Sequence, residues 1–209
     1  MISILSISGS PIQQSSTDIL LGRLAQSVLD GLHGHRQAQV SFVKLNSISF
    51  RACQSCGIAP TPKWCFYDDL ADVLDMVANC DCLLFGSPIY FDSVTAQAKT
   101  FIDRCNCIRP ADFLDSDPEN EFIRRLERKR PGGMVVVGGE RGWFEGARRV
   151  VAGFFKWVEV TNEGMITYAS PSYFEKGSVK DDAATLKKAD ELGRQIAATL
   201  LAQPEEDQA

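Results

Sequence analysis

Residues 82–104 read CLLFGSPIYFDSVTAQAKTFIDR. Their first five residues form a continuous apolar run that ends at a glycine, which is typical of a strand buried on both faces of a parallel sheet. The segment from Val94 to Cys105 then carries apolar residues at helical spacing along one face. A strand followed by an amphipathic helix is part of a βαβ unit, so this stretch predicts an α/β fold.

The same alternation extends in both directions along the chain. Four further strands are predicted, at residues 2–8, 40–45, 134–138 and 165–168. Apolar helical faces fall between and after them, at residues 20–32, 147–158 and 186–200. The chain is therefore expected to form one α/β domain over residues 1–202, built on a doubly wound five-stranded parallel sheet with helices on both faces.

Three segments depart from this alternation. Residues 50–69 form a long cysteine-bearing loop, and residues 109–133 form a charged insertion that ends in the basic run from Arg124 to Arg130. That basic run is interpreted as the solvated face of a helix, with a phosphate-binding or partner surface as the alternative. The polar, acidic tail at 203–209 is expected to be disordered.

Composition excludes several classes of protein. The chain has 209 residues, and its 22 basic against 27 acidic residues give a net charge of −5, which argues against general nucleic-acid binding. Apolar runs such as 134–137 and 150–155 are too short to span a bilayer. The N-terminus has no basic region typical of a secretory signal, so the seven cysteines are expected to be reduced, in the cytoplasm.

The loop after the first strand, residues 8–17, is rich in hydroxyls and leads into a helix. It has neither the G-x-G-x-x-G pattern of dinucleotide-binding folds nor a Walker lysine. Its best hydroxyl donors are Ser10, Ser16 and Thr17. Together with a helix N-terminus they suit a terminal phosphate. The alternative is that Ser16 or Thr17 only caps the helix.

Two further strand-end loops have a different character. The loop that begins at Gly86 is apolar and aromatic, which suits a flat heteroaromatic ligand, and the loop at 138–146 holds four glycines, which let backbone approach a ligand closely. Each could alternatively be an ordinary βα turn, with Trp143 as a core anchor. Because ligands of open parallel sheets bind outside the carboxyl ends of the strands, the three loops together describe a pocket for a phosphorylated flat ring.

Residues 86–104 resemble the signature of the NAD(P)H-dependent FMN reductases and quinone reductases of the flavodoxin-like superfamily. The opening ISGSP at 7–11 with SST at 15–17 is similar to the FMN-phosphate loop of that family, and the Glu175-Lys176-Gly177 stretch resembles its C-terminal end. The resemblance extends from Met1 to about Leu201. It implies a flavodoxin-like fold, FMN as cofactor, NAD(P)H as co-substrate and a homodimer or homotetramer.

The resemblance also assigns roles to residues. Ser10, Ser16 and Thr17 would hold the FMN phosphate, and no side chain need act as an acid or base. The isoalloxazine would be lined by Pro88, Ile89, Tyr90 and Phe91, and its pyrimidine edge or dimethylbenzene surroundings would contact Gly138, Gly139 and Glu140. Trp143 would join Tyr90 and Phe91 in the apolar walls. One departure is Ile12, which stands where many members carry a basic residue.

The activity that the resemblance implies is hydride transfer from NAD(P)H to FMN and then to a small-molecule acceptor: a quinone, a nitro or azo compound, a metal ion or free flavin. A non-enzymatic electron carrier or redox sensor is the alternative. A scaffold that has lost its cofactor is a third interpretation, which Ile12 permits. Neither nucleic acid nor membrane is expected as a partner.

The spacing Cys53-x-x-Cys56, followed by Cys65, resembles the segment that carries a cubane cluster in iron–sulfur flavoproteins. Those proteins use four closely spaced cysteines, and Ala59 stands at the position of the third. Three ligands do not complete a Cys₄ site, although Cys80 or Cys82 could supply a fourth. We therefore expect no metal and interpret these cysteines as free thiols near the flavin pocket.

Overall fold

A computed structural model describes residues 1–54, 68–110, 124–126, 128–172 and 175–204. The elements in these ranges are β1 (Ile2–Ser8), α1 (Ser16–Leu32), β2 (Ala38–Lys44), α2 (Leu70–Asn79), β3 (Cys82–Tyr90), β4 (Ser93–Val94), α3 (Ala96–Arg104), β5 (Ile108–Pro110), β6 (Arg124–Leu126), β7 (Arg130–Gly138), α4 (Glu145–Trp157), β8 (Val160–Ala169) and α5 (Ala183–Ala202). All five predicted strands are present, and β3 and β7 are longer than the apolar runs that predicted them.

The main sheet has the strand order β2-β1-β3-β7-β8, and these five strands are parallel. Ile4 of β1, for example, pairs with Val40 on one side and Cys82 on the other. The predicted doubly wound parallel sheet is confirmed, and its order is the flavodoxin-like one. The order reverses between β1 and β3, which makes the carboxyl ends of these two strands the expected ligand site.

Helices cover both faces of this sheet, as predicted. Side chains alternate along β3, so Leu83 and Phe85 enter the core beneath α2, α3 and α4, whereas Leu84 enters the core beneath α1 and α5. The Phe85 ring lies 5.9 Å from that of Phe101 and 5.4 Å from that of Phe154, between ring centroids. Each such buried side chain contributes roughly 1.5–3 kcal/mol, so these cores hold the strand ends in a fixed arrangement.

The interpretation of the basic run as a solvated helix face is wrong for its described residues. Arg124 begins β6, which pairs in parallel with β5, and Arg128 forms an ion pair of 2.5 Å with Asp81. Arg130 is buried at the start of β7, where its guanidinium donates to the carbonyls of Val77, Cys80 and Val158. Internal acceptors thus bind the guanidinium groups of Arg128 and Arg130, whereas Lys129 between them is exposed. Residues 111–123 and 127 of the insertion lie outside the described residues.

The C-terminal helix α5 ends at Ala202, close to the predicted end of the domain. Residues 205–209 of the tail lie outside the described residues. Across the ranges given above, no helix combines the length and the apolarity needed to cross a bilayer.

Candidate functional site

A cleft that is open to solvent lies at the carboxyl ends of the parallel strands. Its walls come from the last residues of β3 and β7 and from the segments that follow β1, β7 and β8. The cleft contains eight of the ten residues that were predicted to bind the cofactor: Ser10, Ser16, Thr17, Pro88, Ile89, Tyr90, Gly138 and Gly139. The structure therefore brings together residues that are up to 129 positions apart in the sequence, from Ser10 to Gly139.

The other two predicted residues, Phe91 and Glu140, do not line this cleft. Phe91 and Asp92 both have positive φ, at 51° and 57°, and form the two-residue turn between β3 and β4. That turn leaves the Phe91 ring fully exposed. Glu140 is exposed in the loop after β7. Within one subunit, therefore, neither the Phe91 nor the Glu140 side chain lines the cleft.

The N-terminus of α1 forms one end of the cleft, and its cap is Ser15 rather than Ser16 or Thr17. Ser15 and Asp18 form a reciprocal capping box, in which the Ser15 hydroxyl accepts from the Asp18 N–H at 3.2 Å. The capping interpretation of Ser16 and Thr17 is therefore wrong. The N–H groups of Ser16 and Thr17 are among the first four of the helix, which have no intrahelical carbonyl to bond.

Thr17 is the most informative side chain in this part of the cleft. It is 1% exposed, and its hydroxyl oxygen has no hydrogen-bond partner among the residues that the structure describes. A buried hydroxyl without a hydrogen-bond partner costs about 1–3 kcal/mol of stability. A polar ligand that forms a hydrogen bond with this hydroxyl would remove that cost. The neighbouring Ser16 hydroxyl instead accepts from the Val179 N–H at 3.3 Å.

The loop between β1 and α1 is held close to the loop after β3. The Gly9 N–H donates to the Gly86 carbonyl at 2.8 Å, and the Thr95 hydroxyl donates to the Gly9 carbonyl at 2.6 Å. A Cβ on Gly9 would lie 2.7 Å from the Cβ of Ala98, so glycine is required for this approach. Ser10 turns the loop, since its hydroxyl accepts from the Ile12 N–H at 3.3 Å.

The loop after β7 forms the opposite wall. Gly138 faces Ile89 and Phe144, because a Cβ at this position would lie 3.4 and 3.1 Å from their side chains. Trp143 was expected as a cleft wall or a core anchor, but its side chain is 65% exposed and lies against Arg141, 5.7 Å from ring centroid to guanidinium carbon. Phe144 is the aromatic residue of this loop that packs against the core, and it is half-buried.

A fourth wall was missed as a binding surface by the sequence reasoning. It comprises Ser170, Ser172 and the 175–177 stretch, which the family resemblance had picked out without a role. The Tyr168 hydroxyl donates to the Ser178 hydroxyl at 2.9 Å, and Ser170 and Ser178 hydroxyls lie 3.2 Å apart. Inspecting the residues after every predicted strand, including 165–168, would have found this wall.

The lining is nearly neutral. The charged side chains that the structure places there are Glu175 and Lys176, and both are exposed. No His, Cys or Asp is among the described lining residues. The site therefore offers hydroxyls, backbone N–H groups and apolar walls, which are groups that bind and orient a ligand.

None of the described cysteines lines the cleft, and of the three cysteines interpreted as thiols near the flavin pocket only Cys53 is described. Cys80, Cys82, Cys105 and Cys107 are buried in the cores, and Cys53 is half-buried. Burial raises the pKa of Cys80 and of Cys82. Cys56 and Cys65 lie outside the described residues. Within the remainder, no group of three potential metal ligands occurs.

The chain is similar to known flavoproteins in sequence and in fold. An iron–sulfur flavoprotein of Methanocaldococcus jannaschii is 25% identical over 201 residues, which are 93% of this chain and 95% of the relative. The apo form of an NADH:FMN oxidoreductase shares the fold, with a TM-score of 0.67 and 16% identity over 98% of this chain and 92% of the other. A flavodoxin from the domain Archaea gives a TM-score of 0.55 and 12% identity over 95% and 99%.

The family assignment rests on a match to a protein-family model. The model named "NADPH-dependent FMN reductase" matches residues 2–174, a span that includes the loops after β1, β3 and β7. The chain belongs to this family of flavin-dependent oxidoreductases.

Proposed function

We propose that the chain binds FMN and oxidises NAD(P)H, passing two electrons to a small-molecule acceptor such as a quinone. In the balanced reaction, NAD(P)H, a quinone and one proton give NAD(P)⁺ and a hydroquinone. Bound FMN would supply the group that accepts and donates hydride. The observation that carries the proposal is the buried Thr17 hydroxyl at the N-terminus of α1, in the cleft, which has no hydrogen-bond partner within the described part of the chain.

The residues at this end of the cleft fit a phosphate. A phosphate oxygen is an acceptor, and the Thr17 hydroxyl and the first N–H groups of α1 are donors. The positive end of the helix dipole favours an anion at the same place. Ser10 and Ser16 complete the set of hydroxyls around the helix N-terminus.

The middle of the cleft fits a flat ring. Pro88, Ile89 and Tyr90 supply an apolar wall at the end of β3, and Gly138 and Gly139 line the cleft without side chains. Backbone N–H groups of such loops stabilise negative charge that develops on a bound ring. We assign no acid or base among the side chains, because hydride transfer requires positioning more than proton transfer at a side chain.

The choice of NAD(P)H is supported by the family of the chain and by the oxidoreductase that shares its fold. We further propose a homodimer or homotetramer in the cytoplasm, with no nucleic-acid or membrane partner. Support comes from exposed aromatic side chains beside the cleft, since Tyr90 is 45%, Trp143 65% and Phe91 fully exposed. A second subunit that covers them would complete the pocket with Phe91 or Glu140.

A non-enzymatic electron carrier or redox sensor is the second candidate. The observation that favours it is the similarity to an iron–sulfur flavoprotein over nearly the whole chain. Such a protein would take electrons from a protein partner and would react slowly with NAD(P)H.

The test is an anaerobic titration of the FMN-loaded protein with NADPH and, separately, with NADH, followed by flavin absorbance. Rapid bleaching with either nucleotide, followed by recovery when a quinone is added, is the result expected of the enzyme. A flavin spectrum that stays oxidised would favour the carrier. A protein that binds no FMN after soaking and gel filtration would overturn both.

A further inference from the structure

A nearly buried ion pair lies behind the loop that links β1 to α1. The Lys44 ammonium lies 2.6 Å from Asp18 Oδ2 and 2.9 Å from Oδ1, and the two side chains are 9% and 13% exposed. The same ammonium donates to the Ile12 carbonyl at 2.8 Å. Lys44 therefore joins the end of β2, the loop and the first turn of α1.

Asp18 is also tied into the loop through other contacts. Its carboxylate accepts from the Ser8 hydroxyl at 2.5 Å and from the Ser15 N–H at 3.1 Å. These bonds fix the entry into α1, and a carboxylate in the first turn stabilises the helix. The same carboxylate places a negative charge one residue after Thr17, where the proposed function requires a phosphate to bind.

Two anions at one helix N-terminus repel each other, and more so where protein replaces water. Lys44 is the cation placed to prevent this, because its ammonium contacts both carboxylate oxygens of Asp18. It also orients the loop. In a trans peptide the C=O and the following N–H point in opposite directions, so holding the Ile12 carbonyl turns the Gln13 N–H away from Lys44.

We propose that Lys44 is a positioning residue that gives the site its preference for a phosphate-bearing flavin over the uncharged riboflavin. The inference rests on the proposed function, since it concerns the same site. Its ammonium cancels the charge of Asp18 and fixes the loop from behind, without reaching the ligand. Ile12 lines the cleft and is 39% exposed, so the loop presents an apolar side chain to the ligand. The arrangement of Lys44 and Asp18 explains how this loop nevertheless accommodates an anion.

The experiment compares dissociation constants for FMN and riboflavin, measured by flavin fluorescence on the full chain. Lys44→Met is expected to weaken FMN binding about tenfold, the scale of one charge-assisted contact, and to leave riboflavin binding unchanged. Lys44→Arg retains the charge and is expected to keep most of the preference for FMN. The matched control is Lys99→Met, which breaks an exposed ion pair with Asp103 and should change neither constant.

The double variant Asp18→Asn with Lys44→Met separates charge from structure. It makes the loop neutral again, so FMN binding should recover toward the wild-type value even though more native contacts are lost. If Lys44 were only structural, the double variant would bind FMN less well than Lys44→Met does. Equal weakening of FMN and riboflavin in Lys44→Met would also overturn the proposal.

Two further outcomes are decisive. If Lys44→Met fails to fold, Asp18→Asn alone tests the proposal, because it leaves Lys44 unopposed and should preserve or increase the preference for FMN. A decrease in that preference would refute the inference. Wild-type protein that binds neither flavin would refute the proposed function and this inference with it, whereas FMN binding unaffected by Lys44→Met would refute the inference alone.

Discussion

Asp92 Oδ1 accepts a hydrogen bond from the backbone N–H of Gly146 at 3.3 Å. Asp92 lies in the turn between β3 and β4, and Gly146 lies in the first turn of α4, whose own cap residue, Phe144, provides no side-chain cap. A Cβ on Gly146 would lie 1.7 Å from the Asp92 carbonyl oxygen. The two walls of the cleft, one ending at Tyr90 and the other beginning at Gly138, are thus joined by a contact that only glycine permits.

Gly146→Ala is expected to displace the turn at Asp92 and to lower the free energy of unfolding by about 1–3 kcal/mol, the usual cost of an unrelieved steric contact. FMN and riboflavin should both bind more weakly, because the wall formed by Pro88, Ile89 and Tyr90 moves with the turn. Urea unfolding and flavin titration measure the two effects.

Gly153→Ala in the same helix is the matched control, since a Cβ at Gly153 has no neighbour within 4 Å. That substitution should stabilise the protein by up to about 1 kcal/mol through helix propensity, with unchanged flavin binding. Equal behaviour of the two variants would show that the turn does not depend on Gly146.

Thr17→Val tests the hydroxyl that carries the proposed function. Because this hydroxyl is buried without a partner among the described residues, its removal should leave the stability of the flavin-free protein unchanged or raise it. FMN should bind about tenfold more weakly, whereas riboflavin, which has no phosphate, should bind as before.

Thr95→Val is the contrasting control. The Thr95 hydroxyl donates to the Gly9 carbonyl and accepts from the Ala98 N–H, so its loss should lower the free energy of unfolding by about 1–3 kcal/mol. If Thr17→Val destabilises the free protein as much as Thr95→Val does, the Thr17 hydroxyl has a structural partner and the phosphate assignment loses its main support.

The fold was predictable from the sequence because its strands are short apolar runs and its helices have clear apolar faces. The continuous run at 82–86 and the alternation around it were sufficient for the parallel sheet. The turn between β3 and β4 was not predictable, because β4 is only two residues long. The turn residues, Phe91 and Asp92, have positive φ although neither is a glycine, so the sequence carries no signal for it. Likewise, Arg130 is buried because internal carbonyls surround its guanidinium, which a count of charges along the chain does not show.

The site was predictable where strand ends define it and unpredictable where long-range contacts do. Ser10, Pro88 and Gly138 follow directly from the rule that ligands lie at the carboxyl ends of parallel strands. The role proposed for Lys44 was not predictable from the sequence, because Lys44 contacts Asp18, 26 residues earlier in the chain, and not the ligand. Phe91 satisfied the pattern of an aromatic loop, but the turn that it occupies directs its ring into solvent.

The stability of the protein should depend on pH through Asp68. Burial alone would raise the pKa of Asp68, but hydrogen bonds from Arg104 and from the Arg51 and Leu70 N–H groups hold this pKa below its ordinary value. A carboxyl whose pKa is lower in the folded state stabilises the protein at pH values above its unfolded pKa of about 4, and this contribution is lost as the pH falls through the folded pKa.

Asp68→Asn should therefore lower the free energy of unfolding by about 3 kcal/mol at pH 7, because it removes the anion that faces the buried Arg104 side chain. The difference from wild type should shrink as the pH falls below about 4. Glu145→Gln is the control, since Glu145 has a pKa of about 2 but is exposed beside Arg148 and Arg149, and its loss should have a much smaller effect. A constant difference between wild type and Asp68→Asn from pH 7 to pH 3 would contradict the assignment.

The cysteine loop should hold no iron–sulfur cluster in the natural chain. Three cysteines, Cys53, Cys56 and Cys65, leave a Cys₄ site one ligand short, and Cys80 and Cys82 are both buried in the cores. Protein purified and reconstituted anaerobically with iron and sulfide should therefore show a flavin spectrum with little bound iron.

Ala59→Cys restores the missing position of the four-cysteine spacing and should acquire iron under the same treatment, whereas Ala59→Ser should not. Stoichiometric iron in the wild-type protein would contradict this prediction and move the function toward an electron carrier, because a cluster beside FMN provides a route for single electrons that a quinone reductase does not need.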